Sequence, residues 1–195
     1  MQPVEDVAGQ LVSCASCKII SIKNRLMKIP VETKRFVIRR FEERDLQSFL
    51  EFMLNEESTK YLMFEAEQKT EDGARALFDY VRDAYDSNEP IHSYAIAEKE
   101  NNRYVGSCGY APYDDGIVEC YYSVNNDEVG KGIATEVTSA LAKLLSSEVE
   151  VRAYCHPENY AAQVVAKKSG FKPKGVQSHK YFGNFGELFI YERNS

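Results

Sequence analysis

Gly130, Lys131 and Gly132 lie in a turn, Asn126 to Glu136, that leads straight into a strongly helical segment. Glycine accepts positive φ and lets a ligand approach the main chain. The first N–H groups of a helix lack intrahelical acceptors and, with the helix dipole, favour an anion. Lysine contributes a cation, so these residue types in this order can cradle a phosphate. Two nucleotide motifs built on the same physics fail on spacing. The triphosphate loop requires Gly where Asn125 stands and Ser or Thr where Gly132 stands. The dinucleotide fingerprint requires a third Gly at the position of Thr135, and it follows the first strand of a parallel unit.

The segments around the turn must hold it in place. Thr33 to Phe41 reads as a strand, and Asp45 opens a helix whose apolar stripe is Leu46, Phe49, Leu50, Met53 and Leu54. Thr70 is the N-cap expected for a second helix running to Tyr85, with Ala74, Leu77, Phe78, Val81 and Tyr85 on one face. Tyr61 to Phe64, between them, is apolar enough to be either a turn that plugs the core or a wall of a substrate cleft. Three strands follow, Ser93–Glu98, Tyr104–Tyr110 and Ile117–Val124, joined by turns so short that the strands must be antiparallel neighbours. After the turn come a helix with Ile133, Val137, Leu141, Leu144 and Leu145 on one face, and then a strand, Val149–Tyr154. Together they form a parallel crossover unit with the strand before the turn. Asn159 opens another helix that ends at Gly170, and Phe171–Val176 and Leu188–Glu192 close the sheet. The expected class is mixed α+β.

Composition narrows the function. The chain has 195 residues, and 44% hydrophobic with 28% charged is a globular mix. It contains no apolar run of the roughly 18 to 20 residues that a membrane helix needs, so a soluble, cytoplasmic protein without a membrane partner is expected. The net charge of −6 argues against a nucleic-acid partner. The 5 cysteines form no disulfide framework; Cys14 and Cys17 are a lone Cys-x-x-Cys, and His92, His156 and His179 share no ligand spacing, so no metal is expected. Residues 1–26 lack periodicity and read as a flexible extension, with translation starting at Met27 as an alternative and 27–195 as the working domain.

The turn and its companions resemble the Gcn5-related N-acetyltransferase (GNAT) superfamily, in the branch of ribosomal-protein N-terminal acetyltransferases. That family carries Gln or Arg, two residues, Gly, one residue, then Gly or Ala; here the frame reads Val129-Gly130-Lys131-Gly132-Ile133-Ala134. The resemblance spans Thr33 to Arg193 and includes the start at Arg35, Glu119 to Tyr122, Thr135-Glu136, and Asn159 through Gly170-Phe171. It implies a twisted, mostly antiparallel sheet of six to seven strands, splayed at the cofactor site and flanked by about four helices. It also implies acetyl-CoA as co-substrate, held by Val129, Gly130, Lys131, Gly132, Ile133, Ala134, Thr135 and Asn159, with a backbone N–H at Val124 for the oxyanion. Val129 departs from the usual Gln or Arg, which matters little if that position contributes its backbone N–H. Asp127 and Glu128 weaken phosphate binding unless they point outward.

The implied reaction is direct acetyl transfer to a primary amine on a peptide or small molecule, with Glu119 as general base. The other reading of Glu119 is a cross-strand ion pair or a solvent-facing carboxylate. Ala162 stands where many relatives carry a Ser that serves the departing thiol, which leaves Tyr160, Tyr154 or Tyr181 as donors. A small-molecule acetyltransferase acting on a polyamine, amino acid or aminoglycoside is the nearest alternative, distinguished by the openness of the cleft around Tyr61 to Phe64 and Phe182 to Phe185. A non-catalytic acyl-CoA-binding module is a second alternative, and monomer and homodimer are both open.

Overall fold

The computed structural model describes residues 27–181 and 183–193. The extension at 1–26, Cys14 and Cys17 with it, and Phe182 lie outside the described residues. Strands are β1 (Val31–Glu32), β2 (Phe36–Arg39), β3 (Ser93–Glu98), β4 (Tyr104–Asp114), β5 (Ile117–Val124), β6 (Glu150–Cys155), β7 (Phe171–Ser178) and β8 (Phe185–Tyr191). Helices are α1 (Leu46–Leu54), α2 (Glu56–Thr59), α3 (Glu71–Ala84), α4 (Ile133–Leu145) and α5 (Tyr160–Lys168).

The backbone divides into two compact units, Lys28–Gly109 with Tyr121–Leu141, and Tyr110–Cys120 with the chain from Ala142 on. Strands β4 and β5 run through both. Hydrogen-bonded neighbours follow β1-β2-β3-β4-β5 and then β6-β8-β7, eight strands among the described residues. The pairings β1–β2, β2–β3, β3–β4, β6–β8 and β7–β8 are antiparallel. Strands β5 and β6 pair in parallel from Ile117↔Glu150 to Glu119↔Arg152, as the crossover through α4 requires. The strand beyond the expected seven is the two-residue β1, too short to show a period; the helix beyond the expected four is the single turn α2, capped by Asn55, whose side chain accepts from Ser58 N–H.

In the first unit, a core forms because apolar side chains recur at helical spacing on α1 and α3. Phe49, Leu50 and Met53 are buried on α1, and Ala74, Phe78, Val81 and Ala84 on α3. Leu54, the last residue of α1, is instead 46% exposed, because the buried face has already rotated past it. The rings of Phe41, Phe49 and Phe78 meet with centroids 5.3 to 5.7 Å apart, tilted or edge to face. Thr70 caps α3 as expected, accepting from Gly73 N–H. Arg39 on β2 makes a bidentate pair with buried Asp45, at 2.6 and 2.9 Å, and Asp45 also accepts from Glu42 N–H at the turn into α1.

In the second unit, Val151, Ala153 and Cys155 alternate as the buried face of β6, and Leu188 and Phe189 are buried on β8. Gly170 ends α5 at φ +97, where a built Cβ meets the ring of Tyr191 at 2.9 Å, so glycine is required on both counts. Among the described residues no helix is long and apolar enough to cross a membrane.

Candidate active site

The turn after β5 lies in the first unit. A 3₁₀ turn, Asn126–Glu128, precedes Gly130 at φ +85 and Gly132 at φ +77, and α4 begins at the next residue. Both values lie in the left-handed region that costs other L-residues about 1–2 kcal/mol. Buried Ile133, Val137 and Leu141 fix the helix below, while Val129 stands 59% exposed above it. Gly132, Ile133 and Ala134 supply the N–H groups at the helix start; the first helical bond beyond them is Glu136 N–H to Gly132 C=O, at 3.1 Å.

The charges in this turn are not arranged as the sequence suggests. Glu128 points inward: its side chain is 3% exposed and accepts from Arg103 Nη1 at 2.8 Å and Lys131 Nζ at 2.9 Å. Burial alone would raise its pKa, but hydrogen bonds from Lys131 and Arg103 outweigh that and hold it below the usual glutamate range. The expected repulsion is therefore absent at Glu128, and Lys131 is committed to neutralising it. The missed residue is Arg35. Its Nε donates to Glu136 Oε2 at 2.8 Å and its Nη1 to the Lys131 carbonyl at 3.0 Å, and its Nη2 lies 3.5 Å from where a Cβ on Gly132 would be. Glu136 also accepts from Thr33 Oγ1 and Arg35 N–H, each at 2.7 Å, so the first turn of α4 is tied to the start of β2. Gly106 on β4 leaves room for Ser123 and Val124, whose backbone a Cβ there would meet at 2.3 and 2.8 Å.

Glu119 and Asn159 belong to the second unit. Arg152 is the register partner of Glu119, yet its guanidinium turns to Glu150 and lies 5.2 Å from the Tyr113 ring centroid, so it is not the partner that the other reading of Glu119, a cross-strand ion pair, would require. Glu119 instead pairs through Oε2 with His179 Nε2 at 2.7 Å, and its side chain keeps 23% exposure. His179 is buried and stands edge-on to Tyr113 and Tyr154, at 5.4 and 4.7 Å. It is carried on the β7–β8 hairpin, where His179 and Asn184 close the loop and Gly183 takes φ +67. Sequence reading passes over His179 because its partner is 60 residues away and no local spacing marks the pair.

Asn159 Oδ1 accepts from Ala162 N–H at 3.0 Å, capping α5, so its oxygen serves the helix. Of the tyrosines considered as donors, Tyr160 is 72% exposed on α5, and Tyr181 donates its hydroxyl proton to the Tyr113 carbonyl. Tyr154 lies beside His179; burial, then its contact with the Tyr113 hydroxyl, raises its pKa and makes it a reluctant acid. Tyr61 to Phe64 do not plug the core: Met63 is 51% exposed and the others are partly exposed. Among the described residues no group of His, Cys, Asp and Glu could hold a metal ion.

Residues 35–172 match the acetyltransferase (GNAT) domain family, which covers more than half of the chain. The chain belongs to that family and is an acetyltransferase. It is similar to the uncharacterized N-acetyltransferase YnaD of Bacillus subtilis strain 168, 26% identical over 152 residues, covering 74% of this chain and 84% of the relative. Its fold resembles that of the ribosomal L7/L12 α-N-protein acetyltransferase RimL, solved with coenzyme A, with TM-score 0.65, 13% identity, and 83% and 96% of the two chains covered. It also resembles AAC(6′)-Ib, solved with ribostamycin and coenzyme A, with TM-score 0.64, 18% identity, and 81% and 93% covered.

Proposed function

We propose that this chain, through residues 27–195, transfers acetyl from acetyl-CoA to a primary amine, by direct attack in a ternary complex, and that the amine is a protein N-terminal α-amine, acetylated in the cytoplasm. The carrying observation is the pair of positive-φ glycines that runs straight into α4 in a member of the GNAT family. Val129 to Thr135 would line the pyrophosphate, with the main-chain N–H groups of Gly130, Gly132, Ile133 and Ala134 as donors, since those of Val129 and Lys131 donate to Asn126 and Glu128 C=O, and with Arg35 rather than Lys131 as the adjacent cation. Asn159, its oxygen spent on capping, would offer its side-chain Nδ2 to the cofactor. The amine nitrogen attacks the thioester carbonyl, whose oxyanion the Val124 N–H would hold. The new C–N bond forms, the C–S bond breaks, Glu119 takes the amine proton, and the thiolate leaves to be protonated by solvent. A thiol with pKa near 8.5 departs without a dedicated acid, so Ala162 is tolerable.

The N-terminal preference is supported by fold likeness to a neighbour named as an α-N-protein acetyltransferase. The chemistry agrees: an α-amine with pKa of about 7.7–8.0 is roughly a tenth neutral at pH 7, against about one part in a few thousand for lysine. Calorimetry with acetyl-CoA, followed by thiol release against peptides, polyamines and aminoglycosides, tests this. Turnover fastest with free peptide N-termini is expected. Turnover confined to polyamines or aminoglycosides would move the enzyme to the small-molecule class, and binding without turnover on any amine would make it a non-catalytic module.

A further inference from the structure

We propose that His179 is a positioning residue that holds Glu119 as an oriented carboxylate; this rests on the reading of Glu119 as the base. The hydrogen bonds assign the tautomer. Nδ1 lies 3.2 Å from the Tyr181 N–H and accepts from it, so Nδ1 carries no proton. The proton sits on Nε2 and is donated to Glu119 Oε2 at 2.7 Å. A neutral imidazole with both nitrogens engaged gives Glu119 a hydrogen bond without drawing its charge into a buried ion pair. Oε1 is left as the oxygen that receives the amine proton.

The surroundings fix the ring. Tyr113 and Tyr154 meet it edge-on, and Tyr181, whose N–H sets the tautomer, is anchored through its hydroxyl to the Tyr113 carbonyl. The hairpin backbone is closed by His179 N–H to Asn184 C=O at 2.8 Å and Gly183 N–H to His179 C=O at 2.9 Å. Glu119 therefore projects from β5 into one donor whose ring has little room to turn, and a carboxylate so held needs no reorganisation before it accepts a proton.

The test compares His179→Phe, which keeps the ring packing and removes the donor, with His179→Gln, which keeps a donor. The Phe variant should lose roughly tenfold to hundredfold in kcat, the worth of one charge-assisted hydrogen bond, while KM for acetyl-CoA stays within about twofold. The Gln variant should stay within about threefold of wild type, and adding His179→Phe to Glu119→Gln should cause no further loss. Should the Phe variant not fold, His179→Met takes its place as the donor-free shape. Wild-type turnover in the donor-free variant, or a Gln variant as slow as it, overturns the inference. If Glu119→Gln itself keeps full turnover, the base reading falls and this role with it. If Glu119→Gln is slow while the donor-free variant is not, only the positioning role falls.

Discussion

At the scale of single residues, Glu128 gathers two of the cations near the turn. A carboxylate this buried costs several kcal/mol unless paired, and here it holds both Arg103 and Lys131. Lys131 is therefore a counter-ion to Glu128, while Arg35, paired with Glu136 and lying along the turn, is the cation that the proposed phosphate site would use. Lys131→Ala should change the acetyl-CoA Kd by less than about threefold, and Arg35→Ala by about tenfold or more, read by calorimetry. The reverse order would restore Lys131 to the phosphate role. The glycines of this turn were legible in the sequence because their need for positive φ is local. The pairing of Glu128 was not, since one of its partners, Arg103, lies 25 residues away in the turn before β4. The Glu119–His179 pair escaped for the same reason.

At the scale of the element, the turn and the first turn of α4 carry two carboxylates with depressed pKa values. For Glu136, burial works upward, but the Arg35 N–H, the Thr33 hydroxyl and the Arg35 side chain prevail. A folded pKa below the ordinary glutamate value of 4.5 stabilises the fold above that value, and the contribution is lost as pH falls through the lowered one. Between about pH 6 and about pH 3 the wild-type melting temperature should fall more steeply than that of Glu128→Gln. Parallel slopes would mean that Glu128 is not held in this way. Strands β3 and β5 match their expected limits because alternation and polar turns bound them on both sides. Strand β4 runs on to Asp114, past the expected Tyr110, because Pro112 masks the continuing alternation in sequence.

At the scale of the molecule, the mixed α+β class and the family match agree with the expectation, the class because α1, α3 and α4 carry apolar faces at 3.6-residue spacing and the family because its motif residues stand together in sequence. The polar link within the core was less visible: Arg39 and Asp45 sit in segments that read as strand and helix start, and only folding makes them a buried pair. Asp45→Ala should cost about 3–5 kcal/mol, since it strands a buried guanidinium, with a clear fall in melting temperature. An unchanged melting temperature would show that Asn102 and the Arg40 carbonyl suffice for Arg39. Whether Glu119 takes the proton from the attacking amine, as proposed, is tested most directly by steady-state thiol release by Glu119→Gln at saturating acetyl-CoA. Turnover at least about tenfold below wild type, with acetyl-CoA affinity unchanged, is the predicted result. Wild-type turnover in that variant would contradict it.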